Sequence, residues 1–362
     1  MDKIVFLFNS APLPRIKKRM KVALKIYEVI IIYWDRLLAH NFEAGLNKGI
    51  HEIKLTIKAP QGKTLQRVLP LVVFLLRALG KVLKISPNVI HAANFDMLLV
   101  ACVYRLWKPS VRIIYEVADL PKFQQIMFFE KILGRMVDRL ILTSEYHYEA
   151  YYQKIFSKDQ VIILPNCPEK ETFAHFSRKL PDEDLTIGLI GSLRYFEQVS
   201  MLIEAVKALK GVKILIAGAG PDYQKVYARV LGLESVEFYG PYDYERDIVQ
   251  LYSRVDCLYS VYNADLLNVR YALPNRLYEA IACSLPIIVA AGTRLSSFVD
   301  LYQIGFSVSH KDAGQLIKLL AELKAKRVML EEKSKNCSLI REQYNYEADE
   351  TKLADMYREL QH

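Results

Sequence analysis

The chain has 362 residues, of which 52% are hydrophobic and 25% charged, so it is long enough for two domains and too apolar for a disordered protein. The formal net charge of +9 suits anionic partners in general and does not by itself distinguish nucleic acid, anionic lipid and phosphorylated ligands. The five cysteines show no CxxC spacing, which favours buried free thiols in a reducing compartment over a metal site.

The first half of the chain alternates short apolar runs with helical patterns. Continuous apolar runs rich in β-branched residues are typical of strands buried on both faces of a parallel sheet. They predict strands at 3–9, 28–34, 52–57, 88–93, 112–118, 139–144 and 161–166. Residues 1–166 are therefore predicted to form a βαβ domain.

Two apolar segments in this half could be mistaken for a signal peptide and a membrane-spanning helix, and the sequence argues against both. The N-terminal run follows the acidic Asp2 and has no clear small-residue cleavage site, so we expect a first strand and not a signal peptide. The longest apolar run, 68–83, is interrupted by Pro70, Arg77 and Lys81, which argues against a membrane-spanning helix.

A basic amphipathic helix is predicted at 14–28, with no acidic residue before Glu28. Such helices attract anionic membranes. The candidate membrane contacts are Arg15, Lys17, Lys18, Lys21 and Lys25. A solvated helix face is the alternative, and nucleic acid is disfavoured because the basic residues lack interleaved aromatics.

The alternation of apolar runs and helical patterns ends at 167–184. This polar stretch has two prolines and five acidic residues and predicts an interdomain linker. Strands are then predicted at 185–192, 213–218, 236–240, 257–262, 286–291 and 306–309. Residues 185–340 are predicted as a second domain of the same kind, and the helical tail at 341–362 is expected to pack back on the first. The predicted fold class is α/β, with two Rossmann-like domains whose parallel sheets face each other across a cleft.

Two strand-to-helix turns in the second domain suit phosphate. Gly191 and Ser192 end a strand, and Arg194 adds a positive donor before the next helix. A plain turn with a solvated arginine is the alternative. The second turn, at 218–221, lacks the third glycine of a GxGxxG fingerprint, which disfavours NAD binding.

The stretch 271–286, YALPNRLYEAIACSLP, predicts a helix that begins at Pro274 and Asn275. Arg276 and the helix amides at this end suit an anion, and Glu279 suits two vicinal hydroxyls such as those of a ribose. The alternative is an i, i+3 ion pair that caps the helix and contributes roughly 0.2–0.5 kcal/mol.

Together these motifs carry a family resemblance. The donor-side motifs are GSLRYFEQ, LIAGAGP, VEFYGP, IVQLYSRVDCLYSVYN and YALPNRLYEAIACSLPIIVAA. The acceptor-side motifs are PRIKKRMKVALKIYEVIIIYWDR, VIHAANFDMLL, YEVADLP and RMVDRLILTSEYHYEAYY. In this order and spacing they resemble the GT-B glycosyltransferases of the retaining family 4 type (glycosyltransferase group 1), over nearly the whole chain.

The resemblance implies transfer of a sugar from a nucleotide diphosphate sugar, most often a UDP-sugar, to a lipid-linked or oligosaccharide acceptor. It implies a bacterial surface polysaccharide (capsule, O-antigen of lipopolysaccharide, or exopolysaccharide) as the product. It also implies retention at the anomeric carbon, no metal ion, and no cofactor beyond the nucleotide sugar as co-substrate. The expected location is the cytoplasm, at the inner face of the cell membrane.

The resemblance also assigns residues to three roles. Donor binding falls to Ser192, Arg194, Gly218, Tyr242, Tyr271, Asn275, Arg276, Leu277 and Glu279. The catalytic residues, which would face the donor sugar or the acceptor, are His91, Glu116 and Asp119. Asn9, Ser10 and Arg15 would form a loop beneath the phosphates.

The chain departs from the family pattern at three positions. Tyr271 stands where family members commonly carry the first of two glutamates, and Ser192 and Glu197 stand in place of the usual arginine and lysine. Arg194 and Arg276 are expected to compensate. Two alternatives stay open: a nucleotide-sugar epimerase of the same architecture, and a catalytically silent partner subunit that binds a nucleotide sugar.

Overall fold

The computed structural model describes residues 1–36, 48–59, 65–121, 124–178 and 183–361. The chain divides into two compact units, which we call the N-terminal unit (Met1–Pro165 with Asp349–His362) and the C-terminal unit (Asn166–Ala348). Each unit contains one parallel sheet with helices, so the predicted α/β fold with two parallel sheets is confirmed.

The N-terminal unit is built on a seven-stranded sheet in the order β3-β2-β1-β4-β5-β6-β7. The strands are β1 (Lys3–Phe8), β2 (Glu28–Asp35), β3 (Ile50–Thr56), β4 (Val89–Ala93), β5 (Arg112–Val117), β6 (Arg139–Leu142) and β7 (Val161–Ile163). The helices are α1 (Pro14–Ala23), α2 (Val68–Ile85), α3 (Phe95–Trp107), α4 (Gln124–Leu133) and α5 (Glu145–Ala150). The central strands are buried along their length, as the continuous apolar runs predicted.

Helices cover both faces of this sheet, and two adjacent side chains of β5 show which helix lies where. Successive side chains of a strand point to opposite faces. Tyr115 bonds to Glu130 of α4, whereas Glu116 pairs with Arg15 of α1. Helix α1 therefore covers one face of the sheet and α4 covers the other.

The C-terminal unit contains a six-stranded sheet in the order β10-β9-β8-β11-β12-β13. The strands are β8 (Leu185–Ile190), β9 (Val212–Ala217), β10 (Val236–Gly240), β11 (Cys257–Ser260), β12 (Ile287–Ala290) and β13 (Gly305–Val308). The helices are α6 (Phe196–Lys207), α7 (Tyr223–Val230), α8 (Tyr244–Ser253), α9 (Leu267–Tyr271), α10 (Asn275–Ala282), α11 (Arg294–Tyr302), α12 (Ala313–Ala325) and α13 (Val328–Ile340).

The segment predicted as a linker, 167–184, is partly described, since residues 179–182 lie outside the described residues. Cys167 and Phe173 are buried in the core of the C-terminal unit, so the described start of this segment is packed and not extended. The last helix, α14 (Tyr346–Glu359), begins in the C-terminal unit and belongs to the N-terminal unit from Asp349 onward.

The strand order places the expected binding edge in each unit. In the N-terminal sheet the chain adds strands on one side of β1 up to β3 and then on its other side from β4 onward. In the C-terminal sheet the same reversal of strand order falls between β8 and β11. Ligands of such sheets bind beyond the carboxyl ends of the strands at this reversal point.

Among the described helices, none is both long and apolar enough to cross a membrane.

Candidate functional site

Two loops at the carboxyl edge of the C-terminal sheet are fixed to each other through their backbones. Gly218 has a φ of +145°, and a Cβ atom there would lie 1.8 Å from the carbonyl oxygen of Gly191. Leu193 N donates to the Ala219 carbonyl over 2.9 Å, which ties the loop after β8 to the loop after β9. Only glycine allows this approach, so Gly218 is required for the contact between the two loops.

Arg276 lies at the point where the strand order reverses. Its side chain is 6% exposed, and Nη1 donates to the carbonyl oxygen of Tyr259 in β11. The guanidinium carbon lies 5.8 Å from the ring centre of Tyr262, and a Cβ atom at Gly191 would lie 2.9 Å from Nη2. Glycine after β8 thus makes room for a buried cation beneath the edge of the sheet.

Glu279 is fixed by two tyrosines of α8. The hydroxyl of Tyr244 donates to Oε1 over 2.9 Å, and that of Tyr252 donates to Oε2 over 2.6 Å. Burial first, and then the Glu279 charge, raises the pKa of both tyrosines well above the usual value, so they remain protonated donors. A carboxylate has about four acceptor positions, so the two bonds orient Glu279 and leave acceptor capacity on each oxygen.

The two charged side chains of α10 do not form the ion pair that the sequence left open. Among the described residues, Arg276 is bonded to the Tyr259 carbonyl, and Glu279 is bonded to Tyr244 and Tyr252. Each side chain is held separately by its own partners, and a simple capping role is therefore excluded.

The other predicted donor-binding residues differ in exposure to solvent. Ser192, Arg194 and Asn275 are exposed, and Arg194 Nε donates to Ser192 Oγ over 3.1 Å. Tyr242 and Tyr271 are half-buried. Leu277 is completely buried in the core, so its side chain packs the helix and the prediction that it contacts the donor is corrected.

The N-terminus of α10 is open to an anion. The helix begins after Pro274 with no side-chain cap and no acidic residue in its first turn. By contrast, the first amide of α6, that of Phe196, already donates to the carboxylate of Asp222 over 3.2 Å. Of these two helix ends, α10 is the better phosphate site.

In the N-terminal unit, Glu116 is the centre of a buried charge network. Arg15 Nε lies 2.8 Å from Oε1, Arg19 Nε lies 3.8 Å from Oε2, and His91 Nε2 lies 2.9 Å from the same oxygen. His91 Nδ1 lies 3.1 Å from the hydroxyl of Tyr357 in α14. Burial alone would raise the pKa of Glu116, but Arg15, Arg19 and His91 outweigh it and lower the pKa to about 2.

This network changes the interpretation of three predicted residues. His91 and Glu116 are completely buried, and Arg15 is 8% exposed and turned toward Glu116. A catalytic side chain must reach the substrate, so we assign His91 and Glu116 a structural role in joining α1, α14 and the sheet. Arg15 belongs to the same network and not to a loop beneath phosphates.

The remaining predicted residues of this unit lie at the carboxyl edge of its sheet. Asn9 Nδ2 donates to Asp96 over 2.9 Å, and the Asn9 carbonyl accepts from Arg36 over 2.6 Å, while the Ser10 hydroxyl donates to the Ala11 carbonyl. Asp119, which follows β5, is exposed. Among the described residues, no group of three or more His, Cys, Asp or Glu side chains is placed to hold a metal ion.

Sequence reasoning missed the residues that orient the site. Tyr244 and Tyr252 were not singled out, although their spacing of eight residues puts them on one face of a helix. Tyr262 beside Arg276 and Tyr357 beside His91 had no local signal, because their partners are distant in sequence.

Comparison with known proteins finds a matching family and a related sequence. Residues 170–339 match the family model for glycosyl transferases group 1. The succinoglycan biosynthesis protein ExoL of Rhizobium meliloti is 26% identical over 273 residues, which cover 69% of this chain and 66% of that protein. The match thus spans just under two thirds of the relative's length.

Solved structures of similar fold cover almost the whole chain. Sucrose-phosphate synthase from Thermosynechococcus elongatus superposes with a TM-score of 0.76 at 18% identity, over 99% of both chains. HepE from Anabaena, solved in complex with UDP-glucose, gives a TM-score of 0.73 at 16% identity, over 99% of this chain and 100% of that one. At these identities the likeness shows the fold, which is the GT-B arrangement of two parallel-sheet domains. The match to the family model for glycosyl transferases group 1 covers the segment that carries the buried Arg276 and the tyrosine-held Glu279.

Proposed function

We propose that the protein transfers a sugar from a nucleoside diphosphate sugar to a glycan acceptor in the biosynthesis of a surface polysaccharide. The observation that carries the proposal is the arrangement on α10, where a buried cation lies in the first turn after an uncapped helix N-terminus and an oriented carboxylate follows at the start of the second turn. These groups match a diphosphate next to a ribose. The family match and the likeness to a succinoglycan biosynthesis protein support the reaction class and the product class.

The diphosphate is assigned to the first turn of α10. Its free amides and the positive end of the helix dipole attract phosphate oxygens. Arg276 lies beneath this end, and Arg194 is an exposed second cation on the loop after β8. As the glycosidic bond breaks, negative charge grows on the leaving diphosphate, and preorganised donors stabilise it most at that moment.

The ribose is assigned to Glu279. With each oxygen already accepting one tyrosine hydroxyl, the carboxylate has a fixed orientation and retains positions for two vicinal hydroxyls. Tyr244 and Tyr252 are therefore positioning residues. Uridine is proposed as the nucleoside because HepE, a protein of similar fold, was solved with UDP-glucose. Its base is assigned to the Gly218 and Tyr242 side of the same edge.

The donor sugar and acceptor involve the residues that are exposed or half-buried. We assign the half-buried Tyr271 to the donor sugar, because it stands where the family pattern has a carboxylate, and we assign the exposed Ser192, on the loop after β8, to the same ligand. In the N-terminal unit, Asp119, Asn9 and Ser10 remain the candidates for acceptor contact, because they lie at the carboxyl edge of the sheet and reach its surface. We extend the proposal to retention at the anomeric carbon without a metal ion, at the cytoplasmic face of the membrane.

The test is release of UDP from a panel of UDP-sugars by the purified protein. Glu279→Gln keeps the size of the side chain and one acceptor oxygen for a tyrosine hydroxyl, and it removes the charge. We expect it to lower donor affinity or turnover by at least tenfold. Glu237→Gln is the control, since Glu237 is exposed and pairs with Arg254 at the protein surface. Equal donor affinity and rate in Glu279→Gln and the parent contradict the site assignment. An epimer formed without UDP release indicates an epimerase, and binding with neither product indicates a silent partner subunit.

A further inference from the structure

Helix α2 has a second apolar side that faces away from the sheet. Its core side consists of Phe74, Ala78 and Val82, which are completely buried. Leu69 and Leu76, together with Val72 and Leu83 of the same stripe, project outward, and Leu69 is 73% and Leu76 64% exposed. At 3.6 residues per turn these positions lie opposite the core stripe.

The next two helices extend this apolar surface. Helix α2 packs beside α3, and α3 packs beside α4. At the end of α3, Leu106 is 76% and Trp107 is 80% exposed. On α4, Glu130 is buried against the sheet, whereas Phe128 and Ile132 are exposed on the outer side. We call the outer surfaces of α2, α3 and α4 the α2–α4 face.

The charge on the α2–α4 face is of one sign. Arg77, Lys81 and Lys84 are exposed along one side of α2 at spacings of four and three residues, and Lys131 is exposed on α4. The carboxylates within these three helices do not offset them, because Asp96 accepts from Asn9 at the binding edge and Glu130 is buried. The face therefore combines exposed apolar side chains with uncompensated basic ones.

We propose that the α2–α4 face docks on the surface of an anionic lipid bilayer, with its apolar side chains in the interfacial region and its basic side chains among the headgroups. Neighbouring exposed apolar side chains flanked by charged ones are typical of interaction surfaces, and tryptophan favours the membrane interface. Basic residues near an anionic surface add to the attraction. In a symmetric dimer the same patch meets itself, which would bring the basic side chains of the two copies together. The charge pattern thus favours lipid over a second copy.

This surface differs from the one that the sequence suggested. Ile16 and Met20 of α1 are buried in the core, and Lys25 pairs with Glu350 over 2.6 Å. Helix α1 consequently has no apolar side to offer, and it lies on the opposite face of the sheet from α4. The proposal goes beyond the sugar transfer and does not depend on it.

The experiment measures sedimentation of the full chain with vesicles of phosphatidylcholine containing phosphatidylglycerol, compared with phosphatidylcholine alone. One variant removes apolar contacts (Leu76→Ser, Trp107→Ser, Phe128→Ser), and another reverses the charge (Arg77→Glu, Lys81→Glu, Lys84→Glu). We expect the parent to bind the anionic vesicles and each variant to lower the partition coefficient at least tenfold. All substituted side chains are exposed, so thermal unfolding temperature checks that the variants are folded.

Matched controls separate this face from general effects. Leu231→Ser, Leu301→Ser and Leu339→Ser remove equally exposed apolar side chains from the C-terminal unit, and we expect partition within twofold of the parent. A parent that stays in the supernatant with anionic vesicles overturns the proposal, as do folded variants that sediment equally. A parent dimer that both variants convert to monomer, without vesicle binding, assigns the face to a second copy instead.

Discussion

Arg276 is a buried cation that no described carboxylate neutralises through an ion pair. Its fixed partners are a backbone carbonyl and an aromatic ring, while Glu279 directs its oxygens to Tyr244 and Tyr252. A buried charge costs stability unless it is paired. Burial lowers the pKa of Arg276, but the nearby tyrosines and the more distant Glu279 charge outweigh it and raise that pKa, so Arg276 stays charged. In the proposed function, a diphosphate would add a direct anionic partner.

A larger effect on binding than on stability is predicted for Arg276→Gln. We expect UDP affinity, measured by calorimetry, to fall at least tenfold, because a buried charge-assisted contact is lost. The free energy of unfolding of the ligand-free protein, measured with urea, should fall by no more than about 1–2 kcal/mol, because glutamine can still donate a hydrogen bond to the Tyr259 carbonyl. Arg229→Gln is the control, since Arg229 is an exposed cation on α7. Destabilisation by several kcal/mol with unchanged affinity would mean that Arg276 is structural.

The sequence indicated candidate site residues, but it did not determine the role of each one. The sequence favoured a ligand role for Arg276 and Glu279, but it could not exclude their mutual ion pair, since that depends on Tyr244, Tyr252 and Tyr259. His91 and Glu116 were assigned to catalysis because they lie in strands next to the binding edge. Their burial depends on Tyr357, which is 266 residues from His91 in sequence. No local pattern contains that contact.

At the scale of elements, continuous apolar runs in the sequence were sufficient to predict where the strands lie. The run 28–34 corresponds to β2 (Glu28–Asp35), and the run 236–240 corresponds to β10 (Val236–Gly240). Strand β2 is buried on both faces, so consecutive apolar residues specify it, whereas the edge strand β10 alternates and exposes Glu237 and Tyr239. The side of a helix that faces the core is less certain, as α2 shows, because both of its sides are apolar and only the neighbouring elements decide which one is buried.

Helix α4 carries a group that should make stability depend on pH. Glu130 is buried and accepts from Tyr115 and, over 3.1 Å, from Tyr152. Burial raises its pKa from 4.5 to about 7, although the tyrosine bonds oppose the shift. The folded state thus holds this proton more tightly than the unfolded chain does. Its contribution is complete below pH 4.5 and is lost as the pH rises to 7.

We accordingly predict that Glu130→Gln removes this dependence. Between pH 4.5 and 7 the parent should lose about 3 kcal/mol relative to the variant, from a shift of roughly 2.5 units at 1.36 kcal/mol each. Urea unfolding at several pH values measures the difference, and Glu145→Gln, at an exposed position on α5, is the control. His147, whose pKa burial lowers to about 4, contributes with the opposite sign in both proteins and cancels in the comparison. Parallel curves for parent and variant would contradict the assignment.

At the scale of the whole molecule, the chain returns to its first unit at the end. Leu353 and Met356 of α14 are buried in the N-terminal unit, and the Tyr27 hydroxyl donates to the Tyr357 carbonyl over 2.6 Å. The N-terminal unit is therefore incomplete until the last residues have been made. The C-terminal unit holds Arg276 and Glu279 within residues 166–348 and does not share this dependence.

Deleting residues 349–362 should consequently destabilise the N-terminal unit and leave the stability of the C-terminal unit nearly unchanged. We expect faster hydrogen exchange in β1 and β4, because α14 covers the face on which His91 and Glu116 lie. UDP affinity should stay within a few-fold of the parent. Deletion of residues 361–362 alone is the control. Unchanged exchange in β1 and β4 would show that α14 does not stabilise the sheet.

The two tryptophans of the chain both belong to the N-terminal unit, and they occupy opposite environments. Trp34 is 2% exposed and stacks on Phe74 at a centroid distance of 5.2 Å, whereas Trp107 is 80% exposed. Tryptophan fluorescence, excited at wavelengths that tyrosine does not absorb, consequently does not report on the C-terminal unit. In a Trp107→Phe protein the emission reports the unfolding of one sheet alone, and in a Trp34→Phe protein it reports the polarity at one outer helix end. Two single-tryptophan proteins thus provide separate optical probes without any added label.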